Sequence, residues 1–92
     1  MRYKSIFQND FTEKFCYRCG KYGAVHWHHI FNASNKKRSE KYGAMIKVCV
    51  ECHNLIHMHE MEKTKREAER KLLEYYGWTV QEFIDIFGKN YL

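Results

Sequence analysis

The sequence of 92 residues contains no proline, and no repeat, low-complexity tract or linker divides it. It has no run of about 20 apolar residues, the length that a helix needs to span a bilayer. Its first residues also lack the apolar stretch and small-residue cleavage site of a secretory signal. We therefore expect one soluble domain over residues 1–92, a cytoplasmic location and no membrane partner.

Acidic residues are the scarcer charged class in this chain. Eleven Asp and Glu stand against sixteen Lys and Arg, which gives a formal net charge of +5. An excess of positive charge favours a polyanionic partner such as DNA over an acidic or neutral one. On charge alone, the simpler explanation of a solvated and slightly basic surface stays open.

Cysteine is limited to four residues, which form two Cys-x2-Cys pairs, Cys16/Cys19 and Cys49/Cys52. In a chain of this size a single core is often too weak to fold without a metal, a disulfide or a partner. In a reducing cytosol, cysteines with two residues between them bind zinc more often than they form disulfides. We therefore predict a structural Zn2+ site with four thiolate ligands.

Two other ligand arrangements are open. A zinc finger with two cysteines and two histidines would add His53 and His57 to the first cysteine pair. The gap from Cys19 to His53 far exceeds the ~12 to 15 residues of such fingers, and the second cysteine pair would be idle. Alternatively, the four-thiolate zinc is the only metal, and the histidines are ordinary polar residues.

Histidine occurs six times, and four of these residues lie at metal-ligand spacing. His53 and His57 are one helical turn apart and therefore share a helix face. The doublet His28-His29 lies between the cysteine pairs, and one of its members can complete a second metal site. Two histidines have no ligand partner at a clear spacing and are expected to have no metal role: His26 and His59.

Alternating side chains predict a β-hairpin, with a strand over 24–31, a polar loop over 32–40 and a return strand over 44–50. Upstream of the hairpin, aromatic residues spaced four apart predict one face of an N-terminal helix or helical turn. These aromatic residues are Tyr3, Phe7, Phe11 and Phe15.

Helical periodicity begins at His53 and extends to Tyr76, with Gly77 as its C-terminal stop. Thr79 opens a capping box, and a final short helix is expected over 79–87. The predicted fold class is α+β, a small zinc-stapled β-hairpin plus helix with flanking N- and C-terminal helices.

In chain order, the metal-binding motifs are Cys-x2-Cys, His-His-Ile and Cys-x2-Cys-His-x3-His. This arrangement resembles an HNH (ββα-metal) endonuclease with a structural zinc held by four cysteines, and is especially similar to small HNH proteins encoded by bacteriophages. The similarity extends from Cys16 to about His57. It implies a ββα-metal core over about 16–60, a C-terminal helical extension over about 61–92 and a location in the cytoplasm of a bacterial host.

The resemblance implies metal-dependent hydrolysis of DNA phosphodiester bonds, by nicking or by double-strand cleavage. His29 corresponds to the general base that activates water. The ligands of a catalytic divalent cation, such as Mg2+, Mn2+, Ni2+ or Zn2+, correspond to His28, His53 and His57. The family's central asparagine, which orients the base, has no counterpart over 41–44. Its candidate replacements are Asn32, Asn35, Asn54 and a backbone carbonyl.

The alternative function is a non-catalytic zinc module that binds nucleic acid or a protein partner. For either function, we expect the basic cluster Lys36, Lys37 and Arg38 in the predicted loop to contact phosphates. A domain of this size has little reach for sequence recognition. A strong site preference therefore requires a homodimer or a phage or host protein partner.

Overall fold

An antiparallel β-hairpin and the helix that follows it form the centre of the molecule. The computed structural model describes residues 4–9 and 11–92. Strand β1 (Val25–His29) pairs with strand β2 (Met45–Cys49) in a two-stranded sheet. The register sets Val25 opposite Cys49 and His29 opposite Met45. The predicted hairpin is confirmed, and each strand is shorter at its ends than the sequence suggested.

The two faces of the hairpin have different environments. Because side chains alternate along a strand, His28 and its cross-strand partner Ile46 lie on one face, and His29 lies on the other. His28 and Ile46 are each only 2% exposed, and Ile46 belongs to the hydrophobic core. His28 therefore reaches the core side of the sheet, whereas His29 is partly exposed at the end of β1.

The segment predicted as a polar loop is instead helical, and that prediction was wrong. A 3-10 turn (Ala33–Asn35) leads into helix α1 (Lys36–Tyr42). The helix is held by Ser39, a fully buried residue whose hydroxyl accepts from the Phe31 N–H at 3.1 Å and donates to the Phe31 carbonyl. Gly43, with φ of +78°, ends the helix in the left-handed region.

One long helical segment follows β2 and includes a wider turn. It consists of helix α2 (Val50–Leu55), a π-helical turn (Ile56–Glu60) and helix α3 (Met61–Tyr76). The helix begins three residues earlier than predicted, and Gly77 ends it as expected. In the part of the chain that the structure describes, no helix is long and apolar enough to cross a membrane.

The last helix, α4 (Val80–Phe87), begins with the predicted capping box at Thr79. Aromatic rings on its buried face pack against the ring of Phe31, whose backbone is hydrogen-bonded to Ser39 of α1. The ring centroids of Phe83 and Phe87 lie 5.5 and 4.6 Å from that of Phe31. The C-terminal helix therefore covers the segment that follows β1 and contributes Phe83 and Phe87 to the core.

Of the two predicted forms of the N-terminal segment, the described residues show the helical turn rather than a longer helix: a single 3-10 turn (Thr12–Lys14) lies before the first cysteine. Of the four aromatic residues assigned to one face, Tyr3 lies outside the described residues, and Phe11 is 81% exposed. The Asn9 side chain accepts from the backbone N–H groups of Phe11 and Thr12 at 3.0 Å. Such local bonds compete with helix formation, and they explain the turn.

Candidate metal centres

The four cysteines converge on one point. Their sulfur atoms all lie within 4.8 Å of one another: Cys16, Cys19, Cys49 and Cys52. The sulfurs of Cys19 and Cys49 are 3.9 Å apart, and all four thiols are free. Tetrahedral zinc with Zn–S bonds of ~2.3 Å separates its sulfurs by roughly 3.8 Å. This cluster is thus positioned to hold a structural metal such as zinc, and a site that mixes the first cysteine pair with histidines is wrong.

The thiols of this cluster differ in how readily they ionise. Burial opposes ionisation of Cys16, but hydrogen bonds from backbone N–H groups outweigh this effect and lower the pKa of Cys16 to about 6. One of these groups is the N–H of Cys19, whose nitrogen lies 3.4 Å from the Cys16 sulfur. Burial raises the pKa of Cys52 to about 12, against a lowering contribution from Arg18. The backbone N–H groups therefore favour a thiolate at Cys16, and a bound cation would favour loss of the proton that burial keeps on Cys52.

Arg18 connects the cysteine cluster to the π-helical turn. Its Nη1 lies 3.6 Å from the Cys52 sulfur, and its Nε and Nη2 donate to the two carboxylate oxygens of Glu60 at 3.0 and 2.6 Å. Glu60 is the last residue of the π-helical turn. A two-pronged bond of this kind fixes geometry even where solvent weakens its energy. The N-terminal knuckle, which is the segment 16–19, is therefore held in a fixed position relative to the π-helical turn.

Three histidines form a second cluster, one from each of three elements. His28 comes from β1, His53 from α2 and His57 from the π-helical turn, and their ligand nitrogens lie within 4.8 Å of one another. The Nε2 atoms of His53 and His57 are 3.0 Å apart. Of the doublet, it is thus the first member, His28, that joins the helical pair.

The Nε2 atom of His28 is the strongest sign of a ligand at this cluster. It is buried and has no hydrogen-bond partner among residues 4–9 and 11–92. Buried polar atoms are almost always paired, so such a nitrogen requires an explanation, here on a ring whose centroid lies 5.0 and 5.2 Å from those of His53 and His57. A divalent cation provides it, because neutral imidazole nitrogens are good ligands for such ions. The residues present therefore fit a metal.

The surroundings of His28 and His53 favour their neutral forms. Burial, together with the nearby His53 and His57, lowers the pKa of His28 to about 4. Burial and the neighbouring histidines also lower the pKa of His53. At neutral pH both rings therefore carry a lone pair that is available to a cation.

His29 lies outside the cluster but borders the same open cleft. The cleft has a volume of about 760 Å³, and its lining includes His29 and all three clustered histidines. Because β1 ends at His29, the side chains of His28 and His29 reach this cleft from opposite faces of the strand. Lys36, Asn32 and Trp27 complete its wall.

Glu40 was missed by sequence reasoning, although it contacts the expected general base. Its Oε2 atom lies 3.1 Å from Nε2 of His29. Of the asparagines considered for this place, Asn35 instead donates to the Phe87 carbonyl at 2.9 Å, and Asn54 lies exposed on α2. The sequence predicts a loop at Glu40, and only the folding of α1 brings this residue to β1.

His26 contacts the histidine cluster, and this contact was not predicted from the sequence. Its Nε2 atom lies 2.6 Å from Nδ1 of His53. The signal was available in the strand pattern, because residues 26 and 28 of a strand share one face. His59 is exposed in the π-helical turn and belongs to neither metal cluster of the described residues.

The basic cluster lies in the first turn of α1, and its three side chains are exposed. Only Lys36 among them borders the cleft. Arg38 turns back on its own helix start, with Nη1 donating to the Ser34 carbonyl at 3.3 Å and to Asn35 Oδ1 at 3.2 Å. The three residues therefore differ in their access to a ligand bound in the cleft.

No protein-family model, curated protein or solved structure matches this chain. The class of protein that the fold and the cysteine cluster define is a small α+β domain with a hairpin followed by a helix. Its architecture is compatible with a zinc-binding ββα fold.

Proposed function

We propose that this protein is an HNH-type endonuclease that hydrolyses DNA phosphodiester bonds with the help of a divalent cation. The observation that carries the proposal is the buried Nε2 of His28, which has no hydrogen-bond partner among the described residues and belongs to a ring that clusters with His53 and His57. A partly exposed histidine, His29, borders the same cleft. Ligands and a separate proton acceptor are the two components that metal-assisted phosphodiester hydrolysis requires.

The histidine cluster is suited to a particular set of cations. Imidazole nitrogens favour Zn2+, Ni2+, Co2+ and Cu2+, whereas Mg2+ prefers oxygen ligands. Three protein ligands leave coordination positions for water and a phosphate oxygen. When bound there, the cation would supply Lewis-acid stabilisation of the charge that develops on the phosphate and the leaving oxygen.

His29 is proposed as the general base, with Glu40 as its positioning partner. If His29 donates its Nε2 hydrogen to Glu40, the lone pair lies on Nδ1, where it can accept a proton from water. The 3.1 Å contact supports this tautomer. Glu40 then fills the role that the HNH resemblance assigns to the missing asparagine.

Substitution of Glu40 tests this pairing. Glu40→Ala should lower kcat by about 10²-fold, the order expected when a reacting group is misplaced by 1 Å. Glu40→Gln should retain more activity, because its amide oxygen still accepts from the imidazole. KM and metal content should stay unchanged in both variants. Equal activity of Glu40→Ala and the exposed-residue control Glu74→Ala would contradict the role.

Lys36 is proposed to hold a DNA phosphate beside the cleft. Each neutralised phosphate contributes about −0.9 to the slope of log K against log salt for duplex DNA. Lys36→Ala should therefore reduce that slope by about this amount in fluorescence anisotropy titrations. Lys37→Ala, on the same helix turn but away from the cleft wall, is the matched comparison. A larger reduction of the salt slope in Lys37→Ala than in Lys36→Ala would show that the DNA does not bind beside this cleft.

The experiment that tests the function itself is cleavage of supercoiled plasmid. Protein with zinc in its cysteine site is incubated with EDTA, Mg2+, Mn2+, Co2+ or Ni2+. We expect nicked or linear DNA with 5′-phosphate ends and no reaction in EDTA. Cleavage should need a lower concentration of Ni2+ or Co2+ than of Mg2+. Intact plasmid and intact branched DNA with every cation would overturn the endonuclease proposal.

A second candidate function is a non-catalytic zinc module, and one surface feature favours it. An apolar groove beside the knuckle is lined by Phe11, Phe15 and Tyr22, with Lys14 at its edge. Phe11 and Tyr22 are 81% and 65% exposed. Exposed aromatic residues are typical of binding surfaces. Retention of DNA binding without any cleavage would favour this function, in which a homodimer or a phage or host protein is the candidate partner.

A further inference from the structure

His26 contacts the histidine cluster from outside the set of three ligand candidates. It is exposed, and it lies two residues before His28 on the same face of β1. Its Nε2 atom is 2.6 Å from Nδ1 of His53, and the two ring centroids are 4.6 Å apart. This is a direct hydrogen-bond distance between two ring nitrogens.

The two nitrogens of His53 face different neighbours. Nε2 lies 3.0 Å from the Nε2 of His57, inside the cluster, whereas Nδ1 faces His26. A neutral imidazole has one nitrogen with a lone pair and one with a hydrogen. If Nε2 is to bind a cation, Nδ1 must carry the hydrogen and needs an acceptor. The Nε2 of His26 is placed to be that acceptor.

We propose that His26 is a positioning residue for the histidine metal site. By accepting the Nδ1–H of His53, it fixes both the tautomer and the ring orientation that direct His53 Nε2 towards the cation. Acceptors of this kind commonly increase metal affinity by 10- to 100-fold. The inference rests on the metal site of the proposed function, but it does not depend on DNA cleavage.

The geometry separates this role from direct ligation. The three nitrogens that lie within 4.8 Å of one another come from His28, His53 and His57. His26 meets His53 at the ring nitrogen opposite the one that faces His57. It is therefore placed to support one ligand rather than to add a fourth.

The test is Ni2+ binding to protein with zinc in its cysteine site, measured by calorimetry. His26→Ala should weaken Ni2+ binding by about 10- to 100-fold. His26→Gln should recover most of the affinity, because its amide oxygen can accept the same hydrogen. His59→Ala, which removes an exposed histidine from the π-helical turn, is the matched control and should bind like the wild type.

A second measurement reads the tautomer directly. In nitrogen-edited NMR spectra of the nickel-free protein, His53 should have its hydrogen on Nδ1 in the wild type and in His26→Gln. In His26→Ala it should become a mixture of tautomers. A folded protein whose His53 signals do not respond to His26→Ala would overturn the inference, as would unchanged Ni2+ affinity.

Three further outcomes distinguish the positioning role of His26 from direct ligation, from the absence of a metal site and from failure of the endonuclease proposal. Equal loss of affinity in His26→Ala and His26→Gln, with one fewer imidazole bound to Ni2+ by X-ray absorption, would make His26 a ligand and overturn the positioning role. Wild-type protein that binds no Ni2+ would overturn the metal site and this inference together. The expected affinity pattern in a protein that cleaves no DNA would refute only the endonuclease proposal.

Discussion

Cys16→Ser should unfold the protein at neutral pH. Cys16 is only 2% exposed and joins the N-terminal knuckle to the end of β2 and the start of α2. Structural zinc contributes ~10 to 16 kcal/mol to the folding of small zinc domains, as much as the whole ~5 to 15 kcal/mol stability of a typical domain. Circular dichroism should show a loss of helix, and elemental analysis should give one zinc per wild-type chain and none in the variant.

The matched control for this prediction is His57→Ala, which removes a side chain from the other cluster. Because His57 is exposed, this variant should retain its helix content and its zinc. Folded wild-type protein without any metal would contradict the four-thiolate zinc site. A Cys16→Ser protein that melts at the wild-type temperature would do the same.

Loss of zinc should also abolish the histidine site. Cys49 immediately precedes α2, and Cys52 lies in its first turn, directly before His53. The direction of α2 therefore depends on the cysteine cluster, and the positions of His53 and His57 depend on α2. The cysteine cluster and the proposed histidine site are thus coupled through covalently adjacent residues rather than through a distant contact.

The parts of the fold that could be predicted are those specified by local sequence. Side-chain alternation identified the hairpin, and the spacing of the cysteine pairs identified the four-sulfur cluster. The i, i+4 spacing of His53 and His57 anticipated that they meet, because that spacing places two residues on one helix face. The capping box at Thr79 likewise depends only on residues within one helical turn.

The parts that were missed depend on contacts between distant residues. Helix α1 has a polar composition that predicts a loop, and its position depends on the bond between Ser39 and the Phe31 backbone, which the local sequence does not reveal. The contact of Glu40 with His29 could not be predicted before α1 was known. The π-helical turn has no composition signal of its own, although such turns often occur at functional sites, and this one contains His57.

The roles of His29 and His57 should separate in metal titrations of cleavage activity. His29→Ala should retain zinc, fold and DNA binding but lose about 10² to 10⁴ in cleavage rate, the usual contribution of a positioned proton acceptor. His57→Ala should instead require a higher concentration of added cation, because it removes a ligand. High Ni2+ or Mn2+ should therefore partly restore His57→Ala and leave His29→Ala unchanged.

The control for both variants is His59→Ala, an exposed histidine of the π-helical turn that belongs to neither metal cluster of the described residues. It should cleave like the wild type at every cation concentration. If excess cation restored His29→Ala as fully as His57→Ala, His29 would act through metal binding and not as the base. If His29→Ala kept the wild-type rate, the proton acceptor would have to be another group of the cleft, and the contact with Glu40 would have only a structural role. His29 lies on the opposite strand face from His28 yet beside the same cleft, so its ring can approach a bound phosphate without competing for the cation. This position favours a loss of activity in His29→Ala that added cation does not restore.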